Sequence, residues 1–90
     1  MASFDDHCRD CLKALGEPFE EVNRWLDAFF PVYGFDHRPE RHHEEGIEEV
    51  RALWGDRAAE AARIHIQRDY GFIPTKAQAD EWKVFRELFK

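Results

Sequence analysis

No apolar run in the sequence approaches the roughly 18 residues that a membrane-spanning helix needs, so no membrane association is expected. The start, MASFDDHCRD, lacks both the basic and the apolar stretch of a secretory signal, which makes the cytoplasm the expected location. Basic residues are in the minority, 13 Lys and Arg against 19 Asp and Glu, for a formal net charge of -6 with the histidines neutral. Phosphate neutralisation needs the opposite balance, and no nucleic-acid partner is expected. Cysteine is scarce as well: Cys8 and Cys11 form a C-x-x-C with no βαβ pattern around it and Leu12, not a histidine, after it. Thioredoxin-like chemistry and c-type haem attachment therefore lack their context. Both thiols read as small apolar residues on one helical face. Internal repeats, low-complexity stretches, linker composition and sustained strand alternation are all missing.

What is present is enough for one core. Ninety residues, 43% of them hydrophobic and 14% aromatic, suit a single compact domain spanning 1–90. Gly and Pro divide the chain into about five helical segments, an all-α domain. Ser3 caps the first helix, with Asp6 at the capping-box position and His7, Cys8 and Cys11 on its inner face, and Gly16 closes it. Pro18 suits the first turn of the second, where Phe19, Val22, Trp25, Leu26, Phe29 and Phe30 recur at helical spacing until Pro31. After a short aromatic loop, Asp36 caps a third helix running through Trp54, with Pro39 in its first turn. Gly55 ends it, and Asp56 caps a fourth that runs to about Tyr70 before Gly71. Thr75-x-x-Gln78 is a capping box for a fifth helix carrying Ala79, Trp82, Phe85 and Phe89 on its inner face.

The third and fourth segments are joined by a residue or two, which predicts an antiparallel hairpin. At about 100° per residue, His37, Glu40, His43, Ile47, Val50 and Trp54 share one stripe of the third helix. Ala58, Ala62, His65, Ile66 and Asp69 share one stripe of the fourth. Symmetry about the turn places His43 level with Arg68 and near Asp69, so the polar ends of both stripes meet. Glu40-x-x-His43 has the spacing used in carboxylate-bridged metal sites of helical bundles, and His65-x-x-x-Asp69 adds a second pair one turn apart. Mixed nitrogen and oxygen donors of this kind suit Zn, Fe or Mn. The expected ligands are Glu40, His43, His65 and Asp69, with His7 and His37 to complete the shell. His42, rotated about 100° from His43, is expected to point outward.

A core histidine is also a common structural residue, donating one ring nitrogen to a carboxylate or carbonyl. The competing expectation is an acidic protein-interaction module in which the histidines only hold the core. A third, metal-free acid and base catalysis by His65 with Asp69, requires an open cleft beside that pair. The acids Glu44, Glu45, Glu48 and Glu49 read as a solvated helix face, answered across the hairpin by Arg57, Arg63 and Arg68. Thirteen aromatic residues are generous for this length, and part of the second or fifth helix is a candidate surface for a protein partner or for self-association.

The run His37-Arg38-Pro39-Glu40-Arg41-His42-His43-Glu44-Glu45-Gly46-Ile47, followed by His65 and then Asp69-Tyr70-Gly71-Phe72-Ile73-Pro74-Thr75, resembles an uncharacterised family of small bacterial and phage proteins. Its marks are H-R-x-x-R-H-H-x-x-G-I and H-x-x-x-D-x-G-x-I-P-T, and the likeness extends to Asp6-His7, Trp25 and Trp82. The resemblance implies a bacterial or phage origin and motif positions at His7, His37, His42, His43, His65 and Asp69, but no activity. The chain departs from it in the compact connection at Gly55, where a longer insert is expected.

Overall fold

The computed structural model describes residues 2–88, and the expected inner-face position of Phe89 lies outside them. Helices account for nearly all regular structure: α1 (Phe4–Leu15), α2 (Glu20–Leu26), α3 (Phe30–Tyr33), a 3-10 turn (Gly34–His37), α4 (Arg38–Arg41), α5 (Glu44–Trp54), α6 (Asp56–Tyr70) and α7 (Lys76–Leu88). No strand occurs among the described residues, and no helix there is long and apolar enough to cross a membrane.

Local chemistry sets several ends where the sequence places them. The Ser3 hydroxyl accepts from the Asp6 amide at 3.2 Å and the Asp6 carboxylate accepts from the Ser3 amide at 3.0 Å, closing the capping box of α1. Thr75 and Gln78 form the same reciprocal pair at the start of α7. Gly16 and Gly71 end α1 and α6 in the left-handed conformation that disfavours a side chain. Alanines at 58, 59, 61 and 62, all fully buried, let α6 lie close against α1, α2 and α5. Cys11, Val22, Leu26, Ile47, Val50 and Ile66 complete that core, and α5 and α6 form the expected hairpin. Both cysteines are free, Cys11 in the core and Cys8 half-buried.

Two of the expected helices are interrupted, and both interruptions serve the polar centre. The second ends at Leu26, five residues before Pro31, because the chain leaves helical geometry at Asp27. The third is broken at His42-His43, where His43 adopts an extended conformation (φ -156°, ψ 173°). His43 caps α5 by accepting the Gly46 amide on Nδ1 at 3.0 Å. The doubled-back chain brings the Arg41 carbonyl so near Gly46 that a Cβ there would sit 2.0 Å from its oxygen. Only glycine admits that approach. The reverse turn also breaks the angular phase between α4 and α5, and the side chains of 42 and 43 no longer follow one helix.

Candidate metal centre

Four of the five histidines converge with two aspartates in the interior. His7 comes from α1, Asp27 from the end of α2, His37 from the 3-10 turn, His42 from the end of α4, and His65 and Asp69 from α6. The four imidazoles are buried, as is Asp69, whereas the Asp27 side chain is 24% exposed. One donor atom from each of Asp27, His42, His65 and Asp69 lies within 4.8 Å of the others, a geometry able to hold a metal ion.

The distances have a pattern. His42 Nε2 stands 3.1 Å from Asp69 Oδ2 and 3.6 Å from Asp27 Oδ1. His65 Nε2 stands 3.2 Å from Asp27 Oδ1 and 3.5 Å from Asp69 Oδ2. Donors at adjacent positions of one ion, each about 2.1 Å from it, are separated from one another by about 3.0 to 3.4 Å. All four nitrogen-to-oxygen edges of this group fall around that length.

Proton placement adds a second constraint. Asn23 donates its amide nitrogen to the Pro18 carbonyl at 3.0 Å and lies near both cysteine sulfurs, so its oxygen faces His65 Nδ1 at 2.8 Å. His65 must therefore donate from Nδ1, which in a neutral ring leaves a lone pair on Nε2 aimed at two carboxylates. His37 repeats the arrangement: Nδ1 donates to the Gly34 carbonyl at 2.9 Å and Nε2 faces Asp27 Oδ1 at 2.8 Å. A lone pair facing a carboxylate is repulsive unless a proton or a cation lies between them. An outward Nδ1–H held by a carbonyl or amide oxygen is also the usual outer partner of a metal-bound imidazole.

Around this group, His7 Nε2 approaches Asp69 Oδ1 at 3.3 Å, its ring stacked on that of His65 with centroids 3.4 Å apart. Arg38 lies 3.7 Å from the same oxygen. Asp69 thus turns Oδ1 toward His7 and Arg38, without a hydrogen bond to either, and Oδ2 toward the centre. The Nδ1 atoms of His7 and His42 are buried without a hydrogen-bond partner among the described residues. Burial pushes the His42 pKa down to about 4, leaving a neutral ring at neutral pH. Burial also disfavours the charged forms of His65, Asp27 and Asp69. For His65 the two carboxylates outweigh it and raise the pKa, while the facing imidazoles hold both aspartates well below the usual carboxylate range.

Of the residues expected to ligate, His65 and Asp69 belong to the four-residue group, and His7 and His37 flank it. Glu40 and His43 lie elsewhere. Glu40 is turned toward α7, pairing with Arg86 at 2.7 Å and Lys83 at 3.7 Å. His43 accepts from Gly46 on Nδ1 and donates from Nε2 to the Glu40 carbonyl at 3.2 Å, so both nitrogens serve the backbone. His42, expected to point outward, is wholly buried at the centre, because the break before α5 redirects it. Asp27 was hidden among 19 acids. Its signal is Asn23-x-x-x-Asp27, two polar residues one turn apart beside the buried Val22 and Leu26. Of the arginines expected to answer the acids of α5, Arg57 pairs instead with Glu17 and Arg68 with Asp10, while Arg63 borders a groove with Glu44, Glu45 and Glu48.

Comparison with protein-family models, curated proteins and solved structures finds no match to this chain.

Proposed function

We propose that this protein binds one divalent transition-metal ion through Asp27 Oδ1, His42 Nε2, His65 Nε2 and Asp69 Oδ2, with His37 and His7 flanking the group and orienting Asp27 and Asp69. The observation that carries the reading is the four edges of 3.1 to 3.6 Å between two imidazole nitrogens and two carboxylate oxygens. Two carboxylates balance the charge of a divalent ion, and the mixed donor set suits Zn, Fe(II) or Mn. Arg38 beside Asp69 Oδ1 disfavours a second cation at that oxygen, which favours a mononuclear centre.

The test is elemental analysis of untagged protein together with titration of Zn, Mn and Fe(II). Near-stoichiometric metal is expected in the wild type, a loss of at least tenfold in affinity in His42→Ala and Asp27→Asn, and retention in His43→Ala and Glu40→Gln. Uptake lost in His43→Ala but kept in His42→Ala sinks this ligand set. Absence of uptake, with His42→Ala merely less stable, identifies the cluster as a proton-bridged structural network.

A further inference from the structure

Five of the six clustered side chains are at most 1% exposed, and Asp27 alone, at 24%, reaches solvent. The exposed edge opens into a cavity of about 490 Å³ bordered by Asp27 and His37, walled by Phe4, Phe30 and Pro31, and flanked by exposed Arg24. This size lies within the range of small-ligand sites, and apolar walls converging on a few polar groups are their usual composition. The walls are tied to the polar centre itself: the Phe30 ring meets His37 edge-on at 5.3 Å, and Arg24 lies over the Phe4 ring at 5.4 Å.

We infer that this cavity is the ligand-binding mouth of the metal centre and takes a small carboxylate with an apolar, aromatic-sized body. The inference rests on the proposed metal site. A five- or six-coordinate ion keeps one or two positions beyond the four protein donors. The exposed Asp27 edge is where an incoming carboxylate meets it. Arg24 pairs with Glu20 at 3.4 Å, an exposed and therefore weak contact, and its remaining N–H donors meet an anion that enters the cavity it lines. Phe4, Phe30 and Pro31 cover an apolar body and discriminate against a ligand that is only a headgroup.

The experiment uses Co(II)-loaded protein, whose visible bands report the ion's coordination directly, titrated with 3-phenylpropionate and, separately, acetate. Phenylpropionate is expected to shift the bands saturably at a concentration at least tenfold lower than acetate. Arg24→Glu and Phe4→Ala each weaken that shift at least threefold while leaving Co(II) stoichiometry and the ligand-free spectrum unchanged. Bands present but unmoved by phenylpropionate overturn the mouth and leave the metal site standing. Equal potency of the two acids, or indifference to both variants, also overturns it. Failure to acquire Co(II) bands at all overturns the metal reading and this inference together.

Discussion

At the residue scale, the two adjacent histidines have opposite roles, and hydrogen-bond inventory separates them where helical rotation does not. His43 has a fixed neutral tautomer with no lone pair to spare, because its acceptor nitrogen holds the Gly46 amide. Replacing it by Ala removes a cap worth about 1 kcal/mol. Replacing it by Asn, itself a good cap, recovers most of the loss in chemical denaturation. Burial holds the His43 pKa below its ordinary value of 6.5. Its contribution to metal-free stability is therefore complete above about 6.5 and is lost as pH falls through the folded pKa, when the acceptor lone pair takes a proton. Denaturation of His43→Asn across pH 7 to 4 should show a shallower acid loss than the wild type. Neither tautomer nor cap was legible in the sequence, because both depend on where the chain turns.

At the element scale, the decisive event is the division of one expected helix into α4 and α5. The polar stripe drawn through Glu40 and His43 assumed a constant 100° per residue across a junction where His43 is extended. Once that phase is lost, Glu40 faces α7 and His42 takes the interior. Gly46 is the readable trace of the break: a glycine within the helix, needed because Arg41's carbonyl occupies the space of its Cβ. Gly46→Ala forces that backbone apart and is expected to cost about 3 kcal/mol or more. Thermal melting checks the stability loss. A metal titration of the folded fraction should show weaker affinity, since the same movement displaces His42. Asp27 is a similar case, a helix-ending residue whose site role comes from where α2 stops.

At the scale of the whole molecule, the centre draws on α1, α2, the 3-10 turn, α4 and α6, so binding and global stability are coupled. Free metal at about a hundred times its Kd adds about 2.7 kcal/mol, worth roughly 10–20 °C in Tm for a domain of this size. Chelator should reverse the shift. In the metal-free protein the raised pKa of His65 means that its pairing with Asp27 and Asp69 stabilises fully below about 6.5. That contribution is lost as pH rises through the folded pKa. Metal replaces the proton on Nε2, so the metal-induced rise in Tm should be larger at pH 8 than at pH 6. Scanning calorimetry at both values, with and without metal, measures it; an equal or smaller rise at pH 8 contradicts proton displacement.

The sequence by itself determined the all-α class, the capped starts of α1 and α7, the glycine ends of α1 and α6, and the α5–α6 hairpin with His65 and Asp69 one turn apart on it. These follow from interactions within a few residues, where periodicity and capping chemistry are sufficient causes. Tertiary structure alone decided that His42 and not His43 joins the polar centre, that Asp27 joins it, and that Glu40 turns away from it to Arg86. Those outcomes turn on a backbone reversal and on contacts between residues as far apart as Asn23 and His65. No rotation angle carried along a single helix encodes them.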